Sequence, residues 1–118
     1  MNGDNLELMN HILTASARRH EVIAGNLANL NVPGFQARRF DFEESFRAAL
    51  SEGGAEAATN VQGEVVVDKT AKAKSDGNSV HLERELETMQ KNQLVYGLFT
   101  NLMQQKIGTL RRAIKGTS

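Results

Sequence analysis

Three histidines are the residues of this chain best suited to bind a metal ion or to move a proton. His11, His20 and His81 do not have the spacing of metal ligands. His20 falls on the apolar seam of a predicted helix, where we expect a polar core residue. Because the chain contains no cysteine, thiolate ligands, thiolate nucleophiles and disulfides are excluded. The sequence therefore predicts no metal site and no cofactor.

A hydrolytic or phosphate-transfer site is not indicated either. Ser16 and His20 share a helix face, but no acid stands beside them to orient a nucleophile and its base. Glu43 and Glu44 are sequence neighbours rather than a facing pair. The glycines, including Gly77, do not open a helix in the pattern of a phosphate-binding loop. We expect neither an enzyme nor a protein that binds a small-molecule substrate.

Length and charge narrow the remaining classes. The chain has 118 residues, enough for one domain, and its 14 basic and 14 acidic side chains cancel. Balanced charge without a polybasic face argues against nucleic acid as a partner. No apolar run approaches the roughly 20 residues of a membrane span, and no secretory signal is recognisable. If the protein leaves the cytoplasm, we expect a route that needs neither a cleaved signal nor a membrane anchor.

The elements that must position these residues are two long amphipathic helices. In the N-terminal arm, a 3,4 spacing marks a heptad seam in which Ser16 and His20 are polar. The same spacing runs through the C-terminal arm, where glutamates crowd the start and Lys and Arg crowd the end, as the helix dipole favours. The residues assigned to helix packing and assembly are Leu6, Met9, Leu13, Ile23, Leu27 and Leu30 in the first arm and Leu86, Met89, Tyr96, Phe99, Met103, Ile107, Leu110 and Ile114 in the second.

An abrupt turn closes the first arm. Val32 precedes proline and is pushed out of the helical region, Pro33 has no N–H to donate, and Gly34 can take a positive φ angle. The first helix is therefore predicted to end near Asn31, and two amides near its end can bond the last turn or the returning chain. The residues assigned to this turn are Asn26, Asn29, Asn31, Pro33, Gly34 and Phe35.

A short helix is predicted after the turn. Asp41 followed by Glu44 indicates a capping box, and Phe42, Phe46 and Leu50 would be the residues that this helix buries. The chain is thus a single domain with four parts: an N-terminal helix at 1–31, a turn and short helix at 32–50, a flexible middle at 51–78, and a C-terminal helix at 79–115.

The flexible middle carries the weakest signals. Residues 51–60 are rich in Gly, Ala and Glu, and residues 70–78 in Lys, Ala, Ser and Gly, which is typical of mobile linkers. Residues 61–68 predict one strand, but no second strand of comparable quality is visible. We expect this region to be flexible or weakly β and poorly packed in the isolated chain.

The predicted fold class is all-α and elongated, with the terminal helices antiparallel and coiled-coil-like. At about 1.5 Å per residue, the two arms are roughly 40 and 50 Å long. Residues 94–103 are apolar nearly all round, whereas a two-helix pair buries one stripe of each helix. More helices should therefore come from neighbouring copies or partners. The expected register places Leu6 near Leu110, Ser16 near Thr100 and Leu30 near Leu86.

The turn and the two arms resemble the axial proteins of the bacterial flagellum, which build its rod and hook. In that family the turn reads close to Asn-Ile-Ala-Asn-Ala-Asn-Thr-Pro-Gly-Tyr, and this chain departs from it at Val32, where Thr is usual. Within the family, the proximal rod proteins are most similar. They match this chain from Arg19 to Phe42, across the Asp-Gly-Asn segment at 76–78, and along the C-terminal helix. One departure is His81, where those proteins have Asp, which could cap the second helix.

The resemblance implies a structural subunit of the proximal rod of the flagellar basal body, in the periplasmic space. The implied partners are copies of itself, other rod proteins, the protein that joins the rod to the inner-membrane ring, and the flagellar type III export apparatus. A cytoplasmic helical adaptor or export chaperone is the alternative, because it too needs exposed apolar helix faces. A rod subunit forms an open lattice, whereas a chaperone forms a closed dimer or a one-to-one complex.

Overall fold

Two long helices dominate the structure, a computed structural model that describes residues 3–117. The molecule measures 67 × 28 × 14 Å along its principal axes. It is therefore elongated and mainly helical, as the sequence predicts. In chain order, the elements of the described residues are α1 (Gly3–Ala28), β1 (Arg38–Asp41), α2 (Glu43–Thr59), β2 (Glu64–Val67) and α3 (Leu82–Thr117).

The helices α1 and α3 pack antiparallel. The amide of Asn26 donates to the Glu85 carboxylate at 2.7 Å, and the amide of Asn92 donates to the Ser16 carbonyl at 2.8 Å. These contacts confirm the predicted direction. The predicted register is wrong, because Ser16 lies beside Asn92 instead of Thr100, about two helical turns away. Buried amides that bond across the pair, rather than alignment of polar seam residues, fix the register.

The buried face of α1 is centred differently from the predicted seam. Ala15, Ser16, Ile23 and Asn26 are buried, whereas His20 is exposed. The heptad rule follows a period of 3.5 residues, but a straight helix repeats every 3.6, so the buried face drifts from the predicted positions. His20 is therefore not a core residue. The other packing residues assigned to this arm are partly buried, namely Leu6, Met9, Leu13, Leu27 and Leu30.

Much of the α3 seam is uncovered in the single chain. Leu86, Tyr96 and Ile114 keep 43%, 47% and 67% of their surface exposed. α3 has 36 residues against 26 in α1, so its last turns extend beyond the partner helix. Ile107 and Leu110 are exposed on this extension, while the other packing residues assigned to this arm, Met89, Phe99 and Met103, are partly buried.

The helix α2 replaces the linker expected at residues 51–60. Alanine and glutamate favour a helix, and the regular path is broken only at Gly54, whose φ of 76° kinks α2. The predicted capping box is also wrong. Phe42 is the N-cap residue without a side-chain cap bond, and the Asp41 carboxylate binds Arg39 at 2.7 Å instead.

The weakly β middle is present as a two-stranded antiparallel sheet. β2 pairs with β1 so that Val65 lies opposite Phe40. The strand that the sequence did not predict is β1. It has only four residues, and three of them are charged. Phe40 and Phe42 form the buried core with Ala15, and Val61 packs against them. Residues between α2 and β2 are therefore packed rather than free.

Candidate functional site

The site is the turn at the end of α1, together with the segment that crosses it before α3. α1 ends at Ala28, three residues before the predicted end near Asn31. Two hydrogen bonds that span three residues instead of four follow the helix. They run from the Asn29 N–H to the Asn26 carbonyl at 3.0 Å and from the Leu30 N–H to the Leu27 carbonyl at 3.2 Å. The Asn29 amide donates to the Gly25 carbonyl at 2.8 Å and so stays on the last helical turn.

Gly34 reverses the chain as the sequence predicts. Its φ is 78°, a conformation that residues with a side chain rarely adopt. Its N–H donates to the Asp76 carbonyl at 3.0 Å. Gly77 also has a positive φ, and a Cβ atom there would lie 3.3 Å from the Gly34 Cα atom. Two glycines therefore let the turn and the crossing segment approach each other closely.

Asn78 joins the two segments. Its side chain is fully buried and donates to the carbonyls of Asn29, at 2.8 Å, and Val32, at 2.7 Å. Its side-chain oxygen accepts the Val80 N–H at 2.7 Å. These bonds satisfy carbonyls that the end of α1 leaves without intrahelical partners.

Asn26 holds the chain that returns from the turn. Its side-chain oxygen accepts the Arg38 N–H at 2.9 Å, and its amide donates to the Arg38 carbonyl at 2.7 Å. The same amide contacts the Glu85 carboxylate, which belongs to α3. One buried side chain thus links the end of α1, the start of β1 and the first turns of α3.

Ser79 completes the connection. Its N–H donates to the Phe35 carbonyl at 2.9 Å, and its hydroxyl accepts the Ala37 N–H at 2.8 Å. The hydroxyl therefore serves the returning chain rather than capping α3. We call the group that joins these segments the exit clasp; it consists of Asn26, Asn29, Gly34, Asn78, Ser79 and Glu85.

The predicted turn residues divide into three groups by burial. Asn26 is buried, Asn29 and Phe35 are partly buried, and Asn31, Pro33 and Gly34 are exposed. Sequence reasoning missed Asn78 as a member of the clasp because residues 70–78 have the composition of a linker. It missed Ser79 and Glu85 because their partners, Ala37 and Asn26, lie 42 and 59 residues away in the chain. The signal that could have revealed Asn78 is the Asp-Gly-Asn segment, since Asp and Asn next to Gly are typical of a structured turn.

Glu85 of the clasp and the nearby Asp68 have pKa values shifted in opposite directions. Partial burial raises the pKa of Glu85, and the hydrogen bond from Asn26 only partly offsets this. For Asp68, desolvation alone would raise the pKa, but hydrogen bonds from Thr70 and the charges of Arg84 and Arg39 outweigh it and lower the pKa. Asp68 lies 3.3 Å from both guanidinium groups and so ties β1 to α3.

The histidines serve packing contacts. His11 stacks on Phe46, with ring centroids 6.1 Å apart, and its Nε2 atom bonds the Val61 carbonyl. The His81 ring bonds the Lys72 carbonyl at 2.7 Å. Within residues 3–117, no cluster of three or more His, Asp or Glu side chains is arranged to hold a metal ion. None of the described helices is both long and apolar enough to cross a membrane.

Comparison with known proteins identifies the family. A family model described as "Flagella basal body rod protein" matches residues 13–36, which contain the turn and the second half of α1. A flagellar basal body rod protein FlgB of Aquifex aeolicus (strain VF5) is 33% identical over 103 residues, which cover 84% of this chain and 83% of that protein. The chain belongs to the FlgB family of flagellar basal body rod proteins. FlgB of Aeromonas hydrophila is 28% identical over 90% of this chain and 89% of its own length, and FlgB of Borrelia hermsii is 27% identical over 94% and 96%.

Membership of the FlgB family gives the chain a structural role in the flagellar rod rather than that of a known enzyme family. Val32 and His81, the two residues that depart from the family pattern, do not disturb the exit clasp. Val32 contributes its carbonyl to Asn78 while 45% of its surface is exposed, so a missing side-chain hydroxyl leaves that bond intact. At the start of α3, the His81 carbonyl accepts the Glu85 N–H at 3.0 Å, as any residue there could.

Proposed function

We propose that this chain is a structural subunit of the proximal rod and that it polymerises through its terminal helices to build the drive shaft of the flagellum. The single observation that carries the proposal is the apolar surface of α3. Leu94 and Leu98 keep 74% and 57% of their surface exposed, and Val95 keeps 40%. Burying each such side chain contributes about 1.5–3 kcal/mol. Contact with other subunits would supply that burial.

The exit clasp supports the proposal because it fixes how the arms leave the turn. A subunit that enters a lattice must present its helices at a defined angle. Asn78 joins the turn after α1 to the segment before α3, and Asn26 joins α1 to β1 and to Glu85 of α3. The clasp thereby makes the two helices one rigid unit for assembly.

The proposed surroundings follow from the FlgB family and from the resemblance to proximal rod proteins. The partners are copies of this chain, other rod proteins, the protein that joins the rod to the inner-membrane ring, and the flagellar type III export apparatus. The place is the rod of the basal body in the periplasmic space.

Incorporation into basal bodies tests this function. Cells that lack the native gene would express the chain, and isolated basal bodies would be probed for it by mass spectrometry. Leu98→Asp places a charge on the exposed apolar surface and should abolish incorporation and motility. Gln104→Asp, on an exposed polar position of the same helix, is the matched control and should incorporate normally. Circular dichroism of both purified variants checks that each still folds.

Two outcomes would contradict the proposal. The first is a wild-type chain that restores no motility and is absent from basal bodies. The second is a Leu98→Asp chain that incorporates as well as the control. A closed dimer or a one-to-one complex with another axial protein in the cytoplasm would instead favour the export chaperone.

A further inference from the structure

An open cleft lies between α2 and α3, and α1 forms its floor. α1 packs against both of the other helices. The cleft has a volume of about 610 Å³, and its apolar lining includes Ile12, Ala15, Phe46, Leu50, Val95 and Phe99. Three helices arranged in this way lack the fourth that would close a bundle. The shape therefore fits one more helix.

The base of the cleft contains a buried hydrogen-bond acceptor that the described residues do not satisfy. Asn92 is 6% exposed and lines the cleft, and its side-chain oxygen has no hydrogen-bond partner among the described residues. A buried acceptor without a donor destabilises the folded chain. An occupant that brings an N–H donor would remove this cost.

Charge narrows the choice of occupant. The cleft is lined by three cations, Arg19, Arg47 and Lys91, and by the carboxylate Glu43. Arg19 pairs with Glu43 and Lys91 with Glu87, so Arg47 is the lining cation without an ion pair among the described residues. The 31 residues from Thr88 onward contain five Lys and Arg and no Asp or Glu. The tail of α3 therefore shares the sign of the cleft and is a poor occupant. A helix with exposed leucines and carboxylates is the complement.

The first turns of α3 have that character. Leu82 and Leu86, one turn apart, keep 47% and 43% of their surface exposed. Glu83 and Glu87 flank them and are exposed, and Glu87 also pairs with Lys91 of the same helix at 3.1 Å. We call these four residues the acidic patch. Gln93 is exposed two turns further along and carries an amide that can donate a hydrogen bond.

We propose that the acidic patch of one copy docks into the α2–α3 cleft of a neighbouring copy. The inference rests on the proposed assembly of this chain and names the surfaces that meet. Leu82 and Leu86 cover the apolar floor, Glu83 faces Arg47, and the Gln93 amide approaches Asn92. Because the two surfaces differ, the contact is heterologous, and each copy keeps one free patch and one free cleft. Such a contact propagates through an open assembly.

Disulfide trapping tests this contact directly, since the chain has no cysteine of its own. Leu86→Cys lies in the patch and Val95→Cys in the cleft. Both belong to α3, nine residues and thus about 13 Å apart, too far for a disulfide within one chain. Mixing the two single variants should yield a heterodimer, and the double variant should yield a ladder of larger species. Each single variant alone should remain monomeric.

A charge reversal provides the second arm of the experiment. Glu83→Arg should abolish trapping in the mixture, and added salt should slow trapping of the unmodified pair. Glu56→Arg, on the exposed surface of α2, is the matched control and should trap normally.

Trapping in isolated basal bodies separates this proposal from the proposed function. A double variant that incorporates but forms no ladder there overturns the docking contact and leaves the rod function standing. Dimerisation of Val95→Cys alone also overturns it, because it would show a symmetric contact, and so would an acidic helix of another protein trapped in the cleft. Absence of the chain from basal bodies, with heterodimers still formed in solution, overturns the rod function alone.

Discussion

Asn78 is the single side chain on which the exit clasp depends most. It is fully buried and makes bonds to two carbonyls and one N–H of the main chain. In Asn78→Ala the Val80 N–H loses its partner, and the two carbonyls each keep one backbone N–H but lose the bond from Asn78. We expect the free energy of unfolding to fall by about 1–3 kcal/mol. Urea denaturation measures the change. Asn31→Ala in the same turn is the control, since its side chain is exposed, and should change stability by less than about 0.5 kcal/mol. Equal effects of the two substitutions would rule out the anchoring role of Asn78.

Gly34 and Gly25 make a second matched pair. A Cβ atom at either position meets no atom within 4 Å, so only the backbone conformation distinguishes them. Gly34 has a φ of 78°, and Gly34→Ala should cost about 1–2 kcal/mol. Gly25 is helical, and Gly25→Ala should stabilise by up to about 1 kcal/mol. Thermal unfolding of both variants gives the comparison. A neutral Gly34→Ala would mean that the turn can relax into another conformation.

At the residue scale, the sequence predicts what local chemistry determines. Gly34 reverses the chain as the pattern predicts, whereas α1 ends at Ala28, before the proline at position 33 is reached. The partner of the turn is not visible, because Asn78 lies 46 residues after Val32 and reaches it only in the folded chain. His20 shows the opposite case. The 3,4 spacing places it on the predicted seam, but it is exposed in the folded chain.

The coupling of α1 to α3 through Glu85 belongs to the element scale. Burial raises the pKa of Glu85 above its ordinary 4.5, so the folded chain binds a proton there more tightly than the unfolded chain does. Stability from this group is therefore greatest at low pH and is lost as the pH rises from about 4.5 through the folded pKa. Glu85→Gln keeps an acceptor for Asn26 and cannot titrate.

The expected result for Glu85→Gln is a relative gain in stability as the pH rises through that window. Chemical denaturation of both proteins at a series of pH values gives the difference in the free energy of unfolding. Because Asp68 has a lowered pKa, its own contribution changes at more acidic pH and is common to both proteins. A difference that stays constant, or that changes in the opposite direction, would contradict the assigned shift.

The elements that the sequence predicts best are the long ones with a regular apolar repeat. The long helices repeat an apolar pattern over many turns, so their type is evident from the sequence alone. α2 is harder to recognise because Gly53-Gly54 interrupts a pattern that alanine and glutamate otherwise favour. β1 is hardest, because its stabilisation comes from burying Phe40 and from pairing with a strand beyond α2.

At the scale of the whole molecule, the unequal helix lengths predict unequal order. The last turns of α3 extend past α1 and carry exposed Ile107 and Leu110. In the free chain, we expect fast amide hydrogen exchange beyond residue 106 and slow exchange in the clasped part of α1. After assembly, exchange in the α3 tail should slow, because neighbouring helices cover it. A tail already fully protected in the free chain would remove the argument that assembly completes its packing.

Electron cryomicroscopy of basal bodies from cells that make this chain tests its assembly into the rod most directly. We expect density for the α1–α3 pair in the proximal rod, with the turn ordered at Gly34 and with Leu94 and Leu98 covered by another helix. A rod without this chain, or a rod in which the Leu94 and Leu98 face of α3 lies open to solvent, would contradict this expectation.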